Sequence, residues 1–242
     1  MITVNYTYYN NYKLLEEVVR FYEDASSDLT FTVIDDGSQR EPLTRDMIPD
    51  SWKAIRVEQD HGWGNEICRN ILMRETDTEW NALMDLDYVI DSIPDVEKLY
   101  NGFKDSKVCF QFERGRSVEY NDFRTEVDDG RMINSFIVSS TAWHQTYGYD
   151  MSFGYLYGYD HTFFDQLDRE IVLPYSKITK LAAQGAPEDW RLAPGDQTAF
   201  DEIKNKVREY AKTGYYIPGK GWSDEAQRIK RCVPFPEYKV LP

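Results

Sequence analysis

The chain has 242 residues, with 28 Lys plus Arg set against 42 Asp plus Glu, a formal net charge of −14. That acidity disfavours a nucleic-acid partner, because neutralisation of phosphates by cationic side chains supplies most non-specific affinity. A composition of 41% hydrophobic and 29% charged residues excludes a disordered chain, and no run of about 18 apolar residues is present, which excludes a membrane-spanning helix.

In chain order, Ile2, Val4 and Tyr6 alternate as in a half-buried strand over Ile2 to Tyr6. Leu14, Leu15, Val18, Val19 and Tyr22 then fall on one helical stripe, with Asn11 as N-cap and Glu16 and Glu17 suited to the positive helix start. Leu29 to Ile34 is a continuous β-prone run, and it ends in the turn formers Asp35, Asp36, Gly37 and Ser38. Lys53 to Glu58 reads as a third strand, Glu66 to Arg74 as a helix, and Trp80 to Asp87 as a fourth strand with acids at its C-terminal end. A helix over Pro94 to Lys104, with Pro94 at its first position, precedes a strand over Lys107 to Glu113. Strands alternating with helices predict a mostly parallel sheet covered on both faces.

The pattern changes after residue 113. Glu113 to Arg131 is polar and lacks periodicity, as a long surface loop does. Asn134 to Ser140 reads as a strand, Thr141 to Tyr147 as a helix closed by Gly148, His161 to Arg169 as a helix, and Thr198 to Lys212 as a last helix ending at Gly214. Tyr215 to Pro242 is rich in Pro, Gly and aromatics and reads as packed irregular chain. Cys68, Cys109 and Cys232 are too widely spaced for a disulfide framework or a paired-thiol metal site. Met1 to Asn11 has no cationic flank before a long apolar stretch, so no signal peptide is expected and a cytoplasmic location is.

Ligands of open α/β sheets sit outside the carboxyl ends of the strands. Asp85 and Asp87, read as i and i+2 on one strand, would project together and hold a hard divalent cation through oxygen. An acidic protein that binds a polyphosphate needs such a cation between them. Asp35 and Asp36 suit a turn, and an Asp there can also accept from the imide nitrogen of a uracil, with Tyr9 stacking on the ring. Clustered strand-tip acids serve phosphoryl chemistry as well, so a Mg²⁺-dependent nucleotidyltransferase or phosphohydrolase is an alternative. A non-catalytic sugar-binding protein on the same fold is another.

The ordered segments ITVNYTYYN (Ile2 to Asn10), VIDDGS (Val33 to Ser38), GNEICRN (Gly64 to Asn70), NALMDLD (Asn81 to Asp87) and GYD twice (Gly148 to Asp150 and Gly158 to Asp160) resemble glycosyltransferase family 2. The resemblance runs over Ile2 to Arg169. It implies a GT-A fold, a Rossmann-like three-layer α/β/α sandwich with a mostly parallel central sheet. Its implied division is a nucleotide-sugar-binding half over residues 1–113, an acceptor and catalytic-base half over 114–213, and an irregular extension over 214–242.

The resemblance also implies metal-dependent, inverting transfer of a sugar from a nucleoside-diphosphate sugar, UDP-linked by expectation, to an acceptor hydroxyl. Thr7, Tyr9 and Asp36 would contact the nucleoside, Asp85 the donor ribose or sugar, and Arg69 would be the basic residue near the donor, unless it makes a helix-surface salt bridge. Asp87 would bind Mn²⁺ or Mg²⁺ together with Asp85, and His161 is the candidate third protein ligand. Asp160 stands where the family carries its general base, although Tyr159 replaces the acid that usually precedes it. Asp150 suits a capping or turn role, the Tyr147 to Tyr159 aromatics an acceptor platform or core, and Lys220 a diphosphate contact or a turn.

Overall fold

The computed structural model describes residues 1–23, 29–62, 64–92, 106–112, 134–146, 148–151, 161–173, 177–181 and 235–242, with shorter pieces between them. The chain opens with β1 (Ile2–Tyr8), α1 (Tyr12–Glu23), β2 (Leu29–Asp35), β3 (Lys53–Val57), α2 (Asn65–Glu75) and β4 (Trp80–Asp85). It continues through β5 (Tyr88–Ser92), β6 (Val108–Phe112), β7 (Phe136–Ser139), α3 (Ser140–Thr146), α4 (His161–Phe164), β8 (Arg169–Leu173) and β9 (Lys177–Lys180). Two short strands, β10 (Tyr216–Ile217) and β11 (Gly221–Trp222), pair with each other, and β12 (Tyr238–Val240) follows near the end.

Eight strands form one sheet in the order β12-β3-β2-β1-β4-β7-β6-β8. Neighbours β3, β2, β1 and β4 are parallel, β7 runs against β4 and β6, and β12 runs against β3. The chain steps outward from β1 to β2 and β3 and then returns to the other side of β1 as β4. That reversal opens a crevice at the carboxyl ends of β1 and β4, where sheets of this kind hold ligands.

Strand periodicity divides the core between two faces. Ile2, Val4, Tyr6 and Tyr8 of β1, Phe31 and Val33 of β2 and Ala82 and Met84 of β4 pack with Leu14, Leu15, Val18 and Tyr22 of α1. The intervening residues face the other layer: Ile34 and Ile55 meet Ile67, Cys68, Ile71 and Leu72 of α2, and Leu83 meets Met73 of α2 and Trp143 of α3. The result is the expected three-layer arrangement. One expectation changes with it, because β1 is buried on both faces rather than half-buried. Its polar face is partly satisfied internally: Thr3 hydrogen-bonds Thr30 and Thr78, and Asn5 Nδ2 donates to Asn81 Oδ1 at 3.2 Å, while Asn5 Oδ1 has no hydrogen-bond partner among the described residues. Buried polar groups with such partners carry little penalty.

Local signals held where a cap or a turn forced the backbone. Asn11 Oδ1 accepts from Leu14 N at 3.3 Å and caps α1 as its residue type predicts. Elsewhere tertiary pairing decided the outcome. The helix expected over His161 to Arg169 stops at Phe164, and Arg169–Leu173 instead pairs parallel with β6. The tail expected to be irregular supplies β12, which covers the edge of β3 and is tied down by Tyr238, whose hydroxyl donates to Glu75 Oε1 at 2.8 Å. The segment Pro94 to Lys104 apart from Phe103, the loop Glu113 to Arg131 and most of Thr198 to Lys212 lie outside the described residues.

Gly148 follows α3 at φ +64, its amide bonded to Trp143 O at 3.2 Å. A Cβ there would come to 2.3 Å from Asn70 Oδ1 and 2.6 Å from Trp143 Nε1. Gly148→Ala therefore adds left-handed strain of about 1–2 kcal/mol to overpacking of about 1–3 kcal/mol. Chemical denaturation should show at least about 2 kcal/mol lost, with an unchanged m-value.

Candidate functional site at the carboxyl end of the sheet

Thr7 lies in register with Asp85 on one side and Ile34 on the other, so the ends of β1, β2 and β4 converge. Thr7 and Asp85 occupy the sheet face covered by α2, and α2 supplies Asn65 and Arg69 to the same point. Arg69 is only 1% exposed. Its Nη2 donates to Asp85 Oδ1 at 2.8 Å and to the carbonyl of Asn134, its Nη1 donates to Tyr149 Oη at 3.3 Å, and its guanidinium lies 5.8 Å from the centre of the Phe136 ring. Asn65 Nδ2 adds a 3.4 Å contact to the same Asp85 oxygen.

The surface salt bridge weighed for Arg69 is thus replaced by a buried one. One guanidinium clamps the tip of β4, the chain entering β7 and the Gly148–Asp150 turn. Asn70, its neighbour, completes the clamp by accepting from Tyr149 N at 3.0 Å and donating to Tyr149 O at 2.9 Å. Asp150, expected to serve a turn, is buried at the end of this segment.

Asp85 and Asp87 do not share a strand as expected, because β4 stops at Asp85 and Asp87 sits in the turn before β5. The turn is held from two directions. On the α1 side, Tyr6 donates to the carbonyl of Tyr88 at 3.0 Å and Ile90 N donates to Tyr22 Oη at 2.7 Å. From β9, which pairs with β5, Leu181 N donates to Asp87 O at 2.8 Å and Lys180 Nζ stands 3.4 Å from Asp87 Oδ2.

The two carboxylates still feel each other. Burial, then the charge of Asp85, pushes the Asp87 carboxyl up to about 6, with Lys180 opposing the rise. Burial also raises Asp85, against the opposing charge of Arg69. Two crowded carboxylates, each three-quarters buried, form a donor set of hard oxygens that a divalent cation would relieve, so these residues fit a metal ion. No cluster of three or more His, Cys, Asp or Glu side chains able to hold a metal occurs among the described residues. His161 opens α4, but its side chain lies outside the described residues, as do Asp160 and Lys220.

The second acidic pair divides its work. Asp35 is fully buried and turns the chain, accepting from Ser38 N at 2.8 Å and Leu43 N at 2.9 Å. Asp36 accepts from Gly64 N at 3.0 Å, which brings the β2 tip to the start of α2. A Cβ on Gly64 would lie 2.4 Å from Asp36 Oδ1, so glycine is what permits this approach. Tyr9, beyond β1, donates to Asp60 Oδ2 at 2.8 Å. Thr7, Asp36, Arg69, Asp85 and Asp87 therefore gather at the carboxyl ends of β1, β2 and β4, and Tyr9 follows β1 directly.

Asn65, Asp60, Tyr149 and Lys180 belong to the same neighbourhood, and of these only Tyr149, as one of the Tyr147 to Tyr159 aromatics, carries a site expectation from the sequence. Asn65 lies inside the GNEICRN segment, but Lys180 lies in an unremarkable KITK strand that only tertiary pairing brings to Asp87. Thr7 Oγ1 and Asn65 Oδ1 are buried and have no hydrogen-bond partner among the described residues. Such orphaned polar atoms beside a crevice are what a polar ligand would satisfy.

Arg69→Met should destabilise the fold by about 3 kcal/mol, the lower end for breaking a buried pair, because Asp85 keeps part of its solvent contact. The urea midpoint measures this, and an unchanged midpoint would show that the clamp contributes nothing.

The family model for glycosyl transferase family 2 matches residues 3–164. No curated protein matches the sequence. Among solved structures, the chain is similar to GalNAc-T7 with UDP, GalNAc and Mn²⁺, at a TM-score of 0.59 and 13% identity, covering 96% of this chain and 54% of that one. It is also similar to S. aureus TarS 1-349 in complex with UDP-GlcNAc, at 0.53 and 17% identity over 87% and 66% of the two chains. A third is the mannosyltransferase PcManGT from Pyrobaculum calidifontis with GDP-Man and Mn²⁺, at 0.51 and 18% identity over 95% and 68%. The chain spans about half the length of the first of these, and at such identities the likeness is one of fold. The family model covers more than half the chain and runs from β1 into α4, through the strand ends of β1, β2 and β4 and through α2, and on that match the chain belongs to glycosyltransferase family 2.

Proposed function

We propose that this chain is a metal-dependent, inverting glycosyltransferase that moves a sugar from a nucleoside-diphosphate sugar, UDP-linked, to an acceptor hydroxyl. The observation that carries the reading is the crowded pair Asp85 and Asp87 at the switch point of the sheet, beside the orphaned hydroxyl of Thr7. The similar structures support the ligand class: they contain UDP, UDP-GlcNAc or GDP-Man, and two contain Mn²⁺. No helix among the described residues is long and apolar enough to cross a membrane.

In this reading Asp36 and Tyr9 receive the base, Thr7 and Asp85 face the ribose and sugar, and Arg69 positions Asp85 without touching the donor. Asp85 and Asp87 would hold Mn²⁺ or Mg²⁺, with His161 as a candidate third ligand; the cation supplies charge neutralisation for the departing diphosphate. Asp160 takes the proton of the acceptor hydroxyl as that oxygen bonds to the anomeric carbon. The bond from that carbon to the diphosphate oxygen breaks on the opposite face, which inverts the centre. Residues 1–113 serve the donor, 114–213 the acceptor and base, and 214–242 the extension. The acceptor is any hydroxyl-bearing molecule that reaches Asp160.

A ligand present at about 100 times its dissociation constant stabilises a protein by roughly 2.7 kcal/mol. Thermal unfolding with a panel of nucleotide sugars should show a Mn²⁺-dependent rise for one of them, absent in Asp87→Ala. Failure of every nucleotide sugar to shift the transition would remove the donor site. Asp160→Asn should keep that shift and lower transfer by about 100-fold or more. Products separate the chemistry: free nucleoside diphosphate with a glycosylated acceptor is expected, whereas pyrophosphate or phosphate would point to phosphoryl transfer.

A further inference from the structure

Asp85 and Asp87 each face a cation, but the two cations differ in kind. Arg69 is 1% exposed and committed to Asp85, the Asn134 carbonyl and Tyr149 at once. Lys180 has a side chain 28% exposed at the end of a flexible four-carbon stem. Its backbone, by contrast, is fixed. Lys180 pairs directly with Tyr88 across the antiparallel β5–β9 ribbon, and the next residue, Leu181, bonds the carbonyl of Asp87 itself. Residues directly opposite in such a ribbon share a face, and the Lys180 ammonium accordingly stands 5.5 Å from the centre of the Tyr88 ring as well as 3.4 Å from Asp87 Oδ2. Its charge also reaches Asp85.

These four groups have a simple charge balance. Arg69 and Lys180 offset Asp85 and Asp87, so the set is neutral. A divalent cation held by the carboxylates would leave two positive charges, which match the two negative charges on the diphosphate of a nucleotide sugar. A strand-borne, partly exposed ammonium on a flexible stem is suited to follow that transfer of charge, and Arg69 is not, because both its Nη groups are engaged in the clamp.

Resting on the donor-site reading above, we propose that Lys180 is a diphosphate-binding residue, exchanging its ion pair with Asp87 for the donor's phosphate oxygens when a divalent cation occupies the carboxylates. It is a binding residue of the donor site contributed by the far end of the matched region's neighbouring ribbon, some 90 positions after the acidic turn it serves.

The test compares wild type, Lys180→Gln and Lys180→Arg by calorimetric titration in Mn²⁺, using the nucleoside diphosphate that the wild type binds and its monophosphate. Lys180→Gln should weaken the diphosphate roughly 10-fold or more, the effect of losing one charge-assisted hydrogen bond. The monophosphate should change by no more than about twofold, and Lys180→Arg should restore most of the diphosphate affinity. Mn²⁺ titrated alone, followed by its paramagnetic resonance, should bind Lys180→Gln no more weakly than wild type, because the ammonium no longer competes for Asp87. Equal losses for diphosphate and monophosphate would reduce Lys180 to a structural strut, and no loss for either would remove it from the site; both overturn the assignment while leaving the donor site standing. A wild-type protein that binds no nucleoside diphosphate would overturn the donor-site reading itself, and Lys180's role with it.

Discussion

A guanidinium buried to 1% exposure beneath the crevice is the constraint on which the rest of the site depends. Burying a cation is expensive unless every donor finds an acceptor and a counter-charge lies within reach. The two Nη groups of Arg69 find acceptors and a counter-charge only if three remote pieces of chain come to them: Asp85 at the end of β4, Asn134 before β7 and Tyr149 after α3. The requirement therefore sets the distance between the acidic turn and the segment that runs on toward Asp160. It also holds Asp85 in one orientation, while Asp87 is met by the longer and partly exposed side chain of Lys180.

The sheet makes this arrangement possible by giving its two faces different work. On the α1 side the central strands present an apolar row that anchors them and, through Tyr6 and Tyr22, fastens the start of β5 behind the acidic turn. On the α2 side β1 presents Thr3, Asn5 and Thr7, a polar row that would be costly in a core without partners. The Thr3 hydroxyl and the Asn5 amide nitrogen are met by neighbouring Thr and Asn side chains inside the sheet. Thr7, at the open end, has no such neighbour among the described residues. Polarity along a single strand thus passes from structural to available as it reaches the crevice.

Electrostatics follow the same geometry. The chain is strongly acidic overall, yet at the acidic turn each carboxylate faces a cation, Asp85 facing Arg69 and Asp87 facing Lys180. An anionic ligand is compatible with such a protein only where local cations, resident or bound, reverse the general field.

Much of this was legible in the sequence, and the parts that were not share a cause. The alternation of β-prone runs with helical stripes, the Asn11 cap, the glycine after α3 and the acids at strand ends are local properties, and local chemistry is enough to announce them. The order of segments from Ile2 to Asp160 announced the family for the same reason. The sequence alone could not say that the acidic pair is split between a strand end and a turn, that His161 to Arg169 is only briefly helical, or that Tyr238–Val240 closes the sheet. Strand pairing is a contact between distant residues, and a run such as REIVL or KITK carries no mark of its partner. What the sequence by itself determined is the layered α/β fold and the residue types at the strand tips; what only the tertiary structure decided is which charge faces which, because Arg69 and Lys180 reach their carboxylates through packing and pairing that no local periodicity encodes.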